Sequence, residues 1–191
     1  MQGLKQLSLI TLVVFAVFMQ GCAAVVVGAG VGAASAAHDR RTLGTQLDDK
    51  TAKARLSSAF GNNPALKDAN IDISVYNGVV LLAGQAPSEA IRAEISKTAQ
   101  GVQNLKKIHN QMRISKPITA SVAANDLWIE SKVKSALVTD ERIDGLHIEV
   151  EVEDSEVFLM GLVNDSEASI AVDIARNVNG VARVVKAFES L

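Results

Sequence analysis

The chain has 191 residues, room for one ordinary domain or two small ones. Its 19 basic and 21 acidic residues leave a net charge of −2, which excludes the basic surplus of a nucleic-acid surface. Aromatics are 4% of a chain that is 48% hydrophobic, so Ala, Val, Leu and Ile must build any core, and the single Cys22 excludes a disulfide framework and a Cys-rich zinc site.

The N-terminus reads as a targeting segment. After Lys5 an apolar run extends from Leu7 to Met19. It has the length of a signal-peptide core and falls short of the roughly 20 residues of a membrane span. It ends in Met19-Gln20-Gly21-Cys22, which resembles the lipobox of bacterial lipoproteins. Gly21 and Cys22 match that pattern, and Met19 and Gln20 depart from it. The resemblance implies cleavage after residue 21 and lipidation of Cys22; the competing reading is an uncleaved membrane helix. Ala23, where an aspartate would signal retention, implies sorting to the outer membrane. Loss of residues 1–21 removes only Lys5, leaving 18 basic and 21 acidic residues, net −3.

Residues 22–41 are rich in Ala, Gly and Val and read as a tether. Within them Gly28, Gly30 and Ala33 match a G-x-G-x-x-[GA] fingerprint, and Asp48 follows about twenty residues on. That motif holds a dinucleotide only between a buried strand and a helix of a βαβ unit. Here the apolar stretch begins three residues after Cys22 and no βαβ pattern follows. No cofactor is expected.

The rest of the chain is one unit written twice. Residues 71–84, IDISVYNGVVLLAG, align with 148–161, IEVEVEDSEVFLMG, at a constant offset of 77. Period-two alternation around Asn77-Gly78 and Asp154-Ser155 predicts a β-hairpin in each. Residues 49–60 and 126–137 align at the same offset and predict a helix before each hairpin, with Asn125 or Asp126 as a cap. A second helix follows, Ser88 to Val102 and Ser166 to Val178, then a closing strand, LKKIHNQM or VARVVKAFES. Gly180 suits the left-handed position that ends a helix, and Asn104 is the next best residue there. The expectation is an α+β fold of two α-β-β-α-β domains, 42–113 and 125–191. Each has a three-stranded mixed sheet packed on two helices, the other sheet face wet. Residues 114–124, with Pro117, read as the linker.

The alternation into Leu82-Ala83-Gly84 and Leu159-Met160-Gly161, the helix after it and the Gly180-Val181-x-x-Val184 ending resemble the BON domain. Two such units behind a lipobox are similar to dual BON-domain outer-membrane lipoproteins. The resemblance implies a lipid-anchored protein facing the periplasm, non-catalytic phospholipid binding, support of envelope integrity and enrichment at the division site.

On a helical wheel Ile129, Val133, Ala136 and Leu137 share one face, and their counterparts Ala52, Leu56, Ala59 and Phe60 are also apolar. Trp128 falls outside that face, with Leu127, Ser131, Ser135 and Val138, flanked by Lys132 and Lys134. The first unit has Lys50, Thr51, Ala54 and Gly61 where the second has Leu127, Trp128, Ser131 and Val138. The fold therefore does not require this apolar bulk. It can pack on the other domain or the linker, anchor a protein of the envelope machinery, or enter a bilayer at headgroup level. In the last case Lys132 and Lys134 would meet an anionic phospholipid such as phosphatidylglycerol or cardiolipin.

His38, His109 and His147 are scattered without metal-ligand spacing. Glu149, Glu151 and Glu153 alternate with Ile148, Val150 and Val152 and read as the wet face of a strand. No catalytic motif is present in the sequence, and no enzyme is expected.

Overall fold

The computed structural model describes residues 39–191. The signal segment, Cys22, the Gly28–Ala33 motif and His38 lie outside them. The first domain runs through helix α1 (Leu43–Gly61), a short 3-10 turn, strands β1 (Asn70–Tyr76) and β2 (Val79–Ala86), helix α2 (Glu89–Gln100) and strands β3 (Lys107–Asn110) and β4 (Arg113–Ile114). The second repeats it with α3 (Ala120–Thr139), a 3-10 turn at Gly145–His147, β5 (Glu149–Glu153), β6 (Glu156–Val163), α4 (Asp165–Arg176) and β7 (Arg183–Ser190). β1 is antiparallel to β2, and β3 and β4 both lie parallel to β2. In the second domain β5 is antiparallel and β7 parallel to β6. Val80 faces Ile108 in one sheet and Val157 faces Val184 in the other, so the repeat holds at the level of register.

Local chemistry sets the turns. Asn77 and Gly78, and Asp154 and Ser155, all adopt positive φ, as a two-residue hairpin with right-handed strand twist demands. Asn104 and Gly180 both stand in the left-handed region, at φ 66° and 104°, and turn the chain from helix to closing strand. Each hairpin turn is held by an aspartate from inside the preceding helix. Asp49 accepts the Asn77 and Gly78 amides at 2.7 and 2.8 Å, and Asp126 accepts those of Asp154 and Ser155 at 2.8 and 2.9 Å. Both aspartates are buried. The expected cap role of Asn125 or Asp126 is therefore corrected: α3 starts six residues earlier, with Thr119 as its cap. Residues 120–124, within the stretch read as linker, are small or helix-compatible and extend the helix back to Thr119. Arg113 and Ile114, at the other end, form β4.

Each sheet covers one core. Val80, Leu82 and Ala86 of β2 pack with Leu56, Phe60, Ile95 and Ala99 of α1 and α2. Val157, Leu159 and Val163 of β6 pack with Ile129, Val133, Leu137, Ala171 and Ile174 of α3 and α4.

The opposite sheet faces are not wet, contrary to the expectation from alternation. Tyr76, Val79, Leu81 and Ala83 meet Phe158, Met160 and Ala187 in a third apolar cluster that joins the domains. The result is four layers, helices outside and two sheets back to back within. The alternation is softened where it matters: every residue of β2 is buried, which marks a strand covered on both faces.

The carboxylates read as a wet strand face lie at this join. The Ser74 hydroxyl donates to Glu151 at 2.6 Å, and Gln85 donates to Glu153. Burial raises both carboxyls above their ordinary range; the Ser74 and Gln85 hydrogen bonds oppose this, and Asp72 is among the like charges that add to it. At the rim Tyr76 donates to the His147 carbonyl at 3.3 Å, and Lys106 stands 3.6 Å from Glu189. Asn77 binds Glu189 at one end, while Arg113 binds Asp154 at the other and reaches Glu156 at 3.2 Å.

Candidate functional site

Helix α3 carries the candidate surface. It turns Ile129, Val133 and Leu137 into the second core, each fully buried. The sheet-to-sheet join leaves the outer side of this helix uncovered by the first domain. Leu127 is 69% exposed, Trp128 62% and Val138 50%. Neither the first domain nor the linker therefore shields Trp128.

Ser131, Lys134 and Ser135 are exposed on the same helix, and Lys132 is half-buried. Lys132 leans over the Trp128 ring, its ammonium 3.5 Å from the centroid, and donates to the Asn179 carbonyl. That cation–π contact fixes the ring against the helix surface and presents one charge beside one aromatic plane. Lys134 is placed differently. It is 2.6 Å from Glu130, and although burial pulls its pKa down, the hydrogen bond and charge of Glu130, with Glu149 and Glu151, raise it overall. The two lysines flanking Trp128 are thus unequal: one is stacked on the ring, the other is already paired with a carboxylate.

In the first domain the equivalent surface is a cleft. Between α1, the Asn77-Gly78 turn and the loop at Asn104 lies a space of about 330 Å³ lined by Thr51, Arg55 and Lys106 among others. Thr51 and Arg55 occupy the places of Trp128 and Lys132, and the shorter threonine leaves this space open.

The histidines do not form a site. His109 is half-buried in β3, and burial with Lys107 nearby lowers its pKa. His147 is buried at the end of the 3-10 turn before β5, 3.9 Å from both Asp144 and Glu167. No cluster of three metal-ligating side chains occurs among the described residues.

Exposed apolar residues outside α3 escaped the sequence reading. Leu43 is 76% and Leu47 64% exposed at the start of α1. Their i, i+4 spacing was visible, but the helix was read only from residue 49. Arg40 makes two hydrogen bonds to Glu167, at 2.6 and 2.8 Å, and one to the Leu162 carbonyl at 2.8 Å. No local signal announces a contact across more than a hundred residues. No helix of the described residues is long and apolar enough to cross a membrane.

The BON domain family matches residues 48–116 and 125–190. The chain is 36% identical to "Outer membrane lipoprotein DolP" of Haemophilus influenzae over 92% of its length and 91% of that protein. It is 34% identical to the "21 kDa hemolysin" of Actinobacillus pleuropneumoniae, covering 78% of this chain and 77% of that one. It is 28% identical to "Osmotically-inducible protein Y" of Escherichia coli, covering 74% and 72%. With two matched units that coincide with two structural repeats, this chain belongs to the BON-domain family, as a dual-BON protein similar to that outer membrane lipoprotein.

Proposed function

We propose that this is a lipid-anchored outer-membrane lipoprotein, facing the periplasm, whose α3 surface binds anionic phospholipid without catalysis and supports envelope integrity, with enrichment at the division site. The observation that carries the reading is the uncovered Leu127–Trp128–Val138 set, apolar in one repeat and polar or small in its twin, with the Lys132 ammonium beside the ring. An indole at the headgroup level keeps its N–H wet and its ring in the acyl boundary. A nearby lysine contributes about 1 kcal/mol against an anionic surface. Ser131 and Ser135 are small enough to let the helix lie close. A chain held by lipid at Cys22 needs only a weak second contact, because tethering raises the effective concentration.

The test is co-sedimentation of residues 39–191 with vesicles that contain or lack phosphatidylglycerol. Binding should require the anionic lipid and be lost in Trp128→Glu, a change at an exposed position that leaves the core intact. Retention of binding in that variant would sink the insertion reading. If the protein ignores vesicles of either composition, the same helix is left to the alternative, an adaptor surface for an envelope protein. For the anchor, Cys22→Ala should leave the membrane fraction of cells; normal fractionation would refute lipidation.

A further inference from the structure

The exposed apolar surface does not end with α3. Val138 and Leu146 stand side by side at its C-terminal end, 50% and 47% exposed. Gly145 brings them together: a Cβ there would lie 2.3 Å from the Leu137 carbonyl oxygen and 2.8 Å from the Val138 nitrogen, so only glycine allows this approach. His147, which follows Leu146, has Nε2 3.9 Å from Glu167, and Glu167 is the carboxylate that holds Arg40. The charge of Asp144 also acts on Arg40. Two residues past Arg40, Thr42 caps α1, and Leu43 and Leu47 follow on its outer side. The Arg40 clasp therefore sets the start of the first domain against the β6–α4 turn of the second, and the His147–Glu167 approach puts the loop after α3 at the same corner. Leu43 and Leu47 follow that corner in the chain on one side, and Val138 and Leu146 precede it on the other.

The repeat again serves as a control. Leu43 and Leu47 correspond to Ala120 and Ala124 of the second unit. Here the first unit carries the bulk and its twin is small, the reverse of the Trp128 position. The helix packing of the fold requires neither leucine.

We propose that this corner is a second bilayer contact, in which Leu43 and Leu47 of the first domain and Leu146 of the second enter the acyl boundary together with the α3 surface. It rests on the reading of the chain as a lipoprotein that touches the bilayer through α3. The choice of a bilayer as occupant follows from where the chain leads. Cys22 lies 18 residues before Arg40, a length that spans at most about 60 Å. The corner is the point at which the chain from that cysteine enters the described fold. Its central charges are already matched, Arg40 by Glu167 and Asp140 by Arg142, so an apolar surface can approach without stranding them.

Depth measurement on the full lipidated protein tests this. Lipidation consumes the thiol of Cys22, so an introduced cysteine is the one free thiol in the mature chain. Leu47→Cys, Leu146→Cys and Ser135→Cys would each carry a polarity-sensitive fluorophore, with Glu89→Cys on α2 as the solvent control. The proteins are reconstituted into phosphatidylethanolamine–phosphatidylglycerol vesicles with nitroxide-labelled acyl chains. The labels at 47 and 146 should shift to the blue and lose about half their emission, since interfacial helices bury their apolar face about 5–10 Å deep. The control should not change. Unquenched labels at 47 and 146 beside a quenched label at 135 would overturn the corner and leave the α3 reading standing. No quenching at any of the three would overturn both. A blue shift at 47 without nitroxide quenching would assign the corner to a second copy of the chain and overturn the bilayer proposal.

Discussion

Ser74 and Glu151 are equivalent residues of the two repeats, and they touch: the Ser74 hydroxyl donates to Glu151 at 2.6 Å. Equivalent residues meet only near the axis of a two-fold arrangement, where a patch faces its own copy. The rim obeys the same operation. Asn77 binds Glu189 and Asp154 binds Arg113, and these two pairs are images of each other. The chain therefore folds as a pseudo-symmetric dimer of its own halves.

Symmetry puts a carboxylate where the twin has a hydroxyl. Burial, with Glu149, Glu130 and Asp72 near, raises the Glu151 carboxyl despite its bond from Ser74. A raised value in the folded state favours folding when the group is protonated. That contribution is complete below the ordinary carboxylate range and is lost as pH rises through the raised value. The melting temperature should thus climb as pH falls from neutral toward the ordinary carboxylate range. Glu151→Gln, which can still accept from Ser74, should flatten this slope and melt higher than the parent chain at pH 7.5. Calorimetry across that range decides it, and a lower melting temperature for the variant would refute the argument.

Asp49 and Asp126 each satisfy two turn amides from a buried carboxylate. Asp126→Ala leaves both amides of the second hairpin without that acceptor and should cost about 2–4 kcal/mol, at 1–3 per stranded group with some relief from water. Asp49→Ala should cost at least as much, because Arg41 also loses one of its contacts, the carboxylate at 2.8 Å. Urea unfolding of both variants reads the two costs.

Gly84 sits at φ +112°, and a Cβ there would lie 2.2 Å from the Asn70 carbonyl oxygen across the β1–β2 pair. Gly84→Ala must push the strands apart in the middle of the first domain. We expect a loss of more than about 3 kcal/mol, in the exceptional tail for single substitutions. Thermal unfolding measures it, and a near-neutral result would show that the strand can bulge at this site.

The two lysines of α3 should separate in vesicle binding. Lys132→Ala removes the charge stacked on Trp128 and should weaken binding to phosphatidylglycerol vesicles about five-fold, near 1 kcal/mol. Lys134→Ala removes a charge that Glu130 already balances and should change binding by less than about two-fold, as expected of an exposed i, i+4 pair. Equal effects would mean that the surrounding charge, not the local geometry, governs attraction.

The Arg40 clasp should be acid-labile. The side-chain hydrogen bond from Arg40 holds the Glu167 carboxyl down at about 2. A depressed value stabilises the folded state above the ordinary carboxylate range, and that contribution fades as pH falls through about 2. The protection of the Thr45 and Gln46 amides, measured against their intrinsic exchange rates, should fall over that interval. It should be low already at neutral pH in Arg40→Ala.

Much of this architecture is legible in the residues, and the reasons differ by position. The hairpins, the left-handed Asn104 and Gly180, and the buried face of α3 follow from local chemistry, and the duplicate copy doubles each signal. The place of Trp128 off the core face was legible too, because a position that is threonine in the twin cannot be required by the fold, but whether the first domain or the linker covers it was not. The join between the sheets was not. Alternating Glu149, Glu151 and Glu153 looks solvated, and nothing within a strand tells whether water or another sheet lies above it. The aspartate role inside α3 was hidden for a similar reason: Asp126 near a presumed helix start looks like a cap, while its true partners are 28 and 29 residues away. The Arg40 contact depends wholly on the join.

The back-to-back sheets have a consequence for how the halves could diverge. With each inner face committed to the other, a change on one side must be answered on its mirror image, so the inside is conservative by construction. Novelty is confined to the outer helices, where nothing answers back. One half could gain Leu43 and Leu47 and the other Trp128 without consulting its sibling. A symmetric object thereby acquires two unlike outer faces.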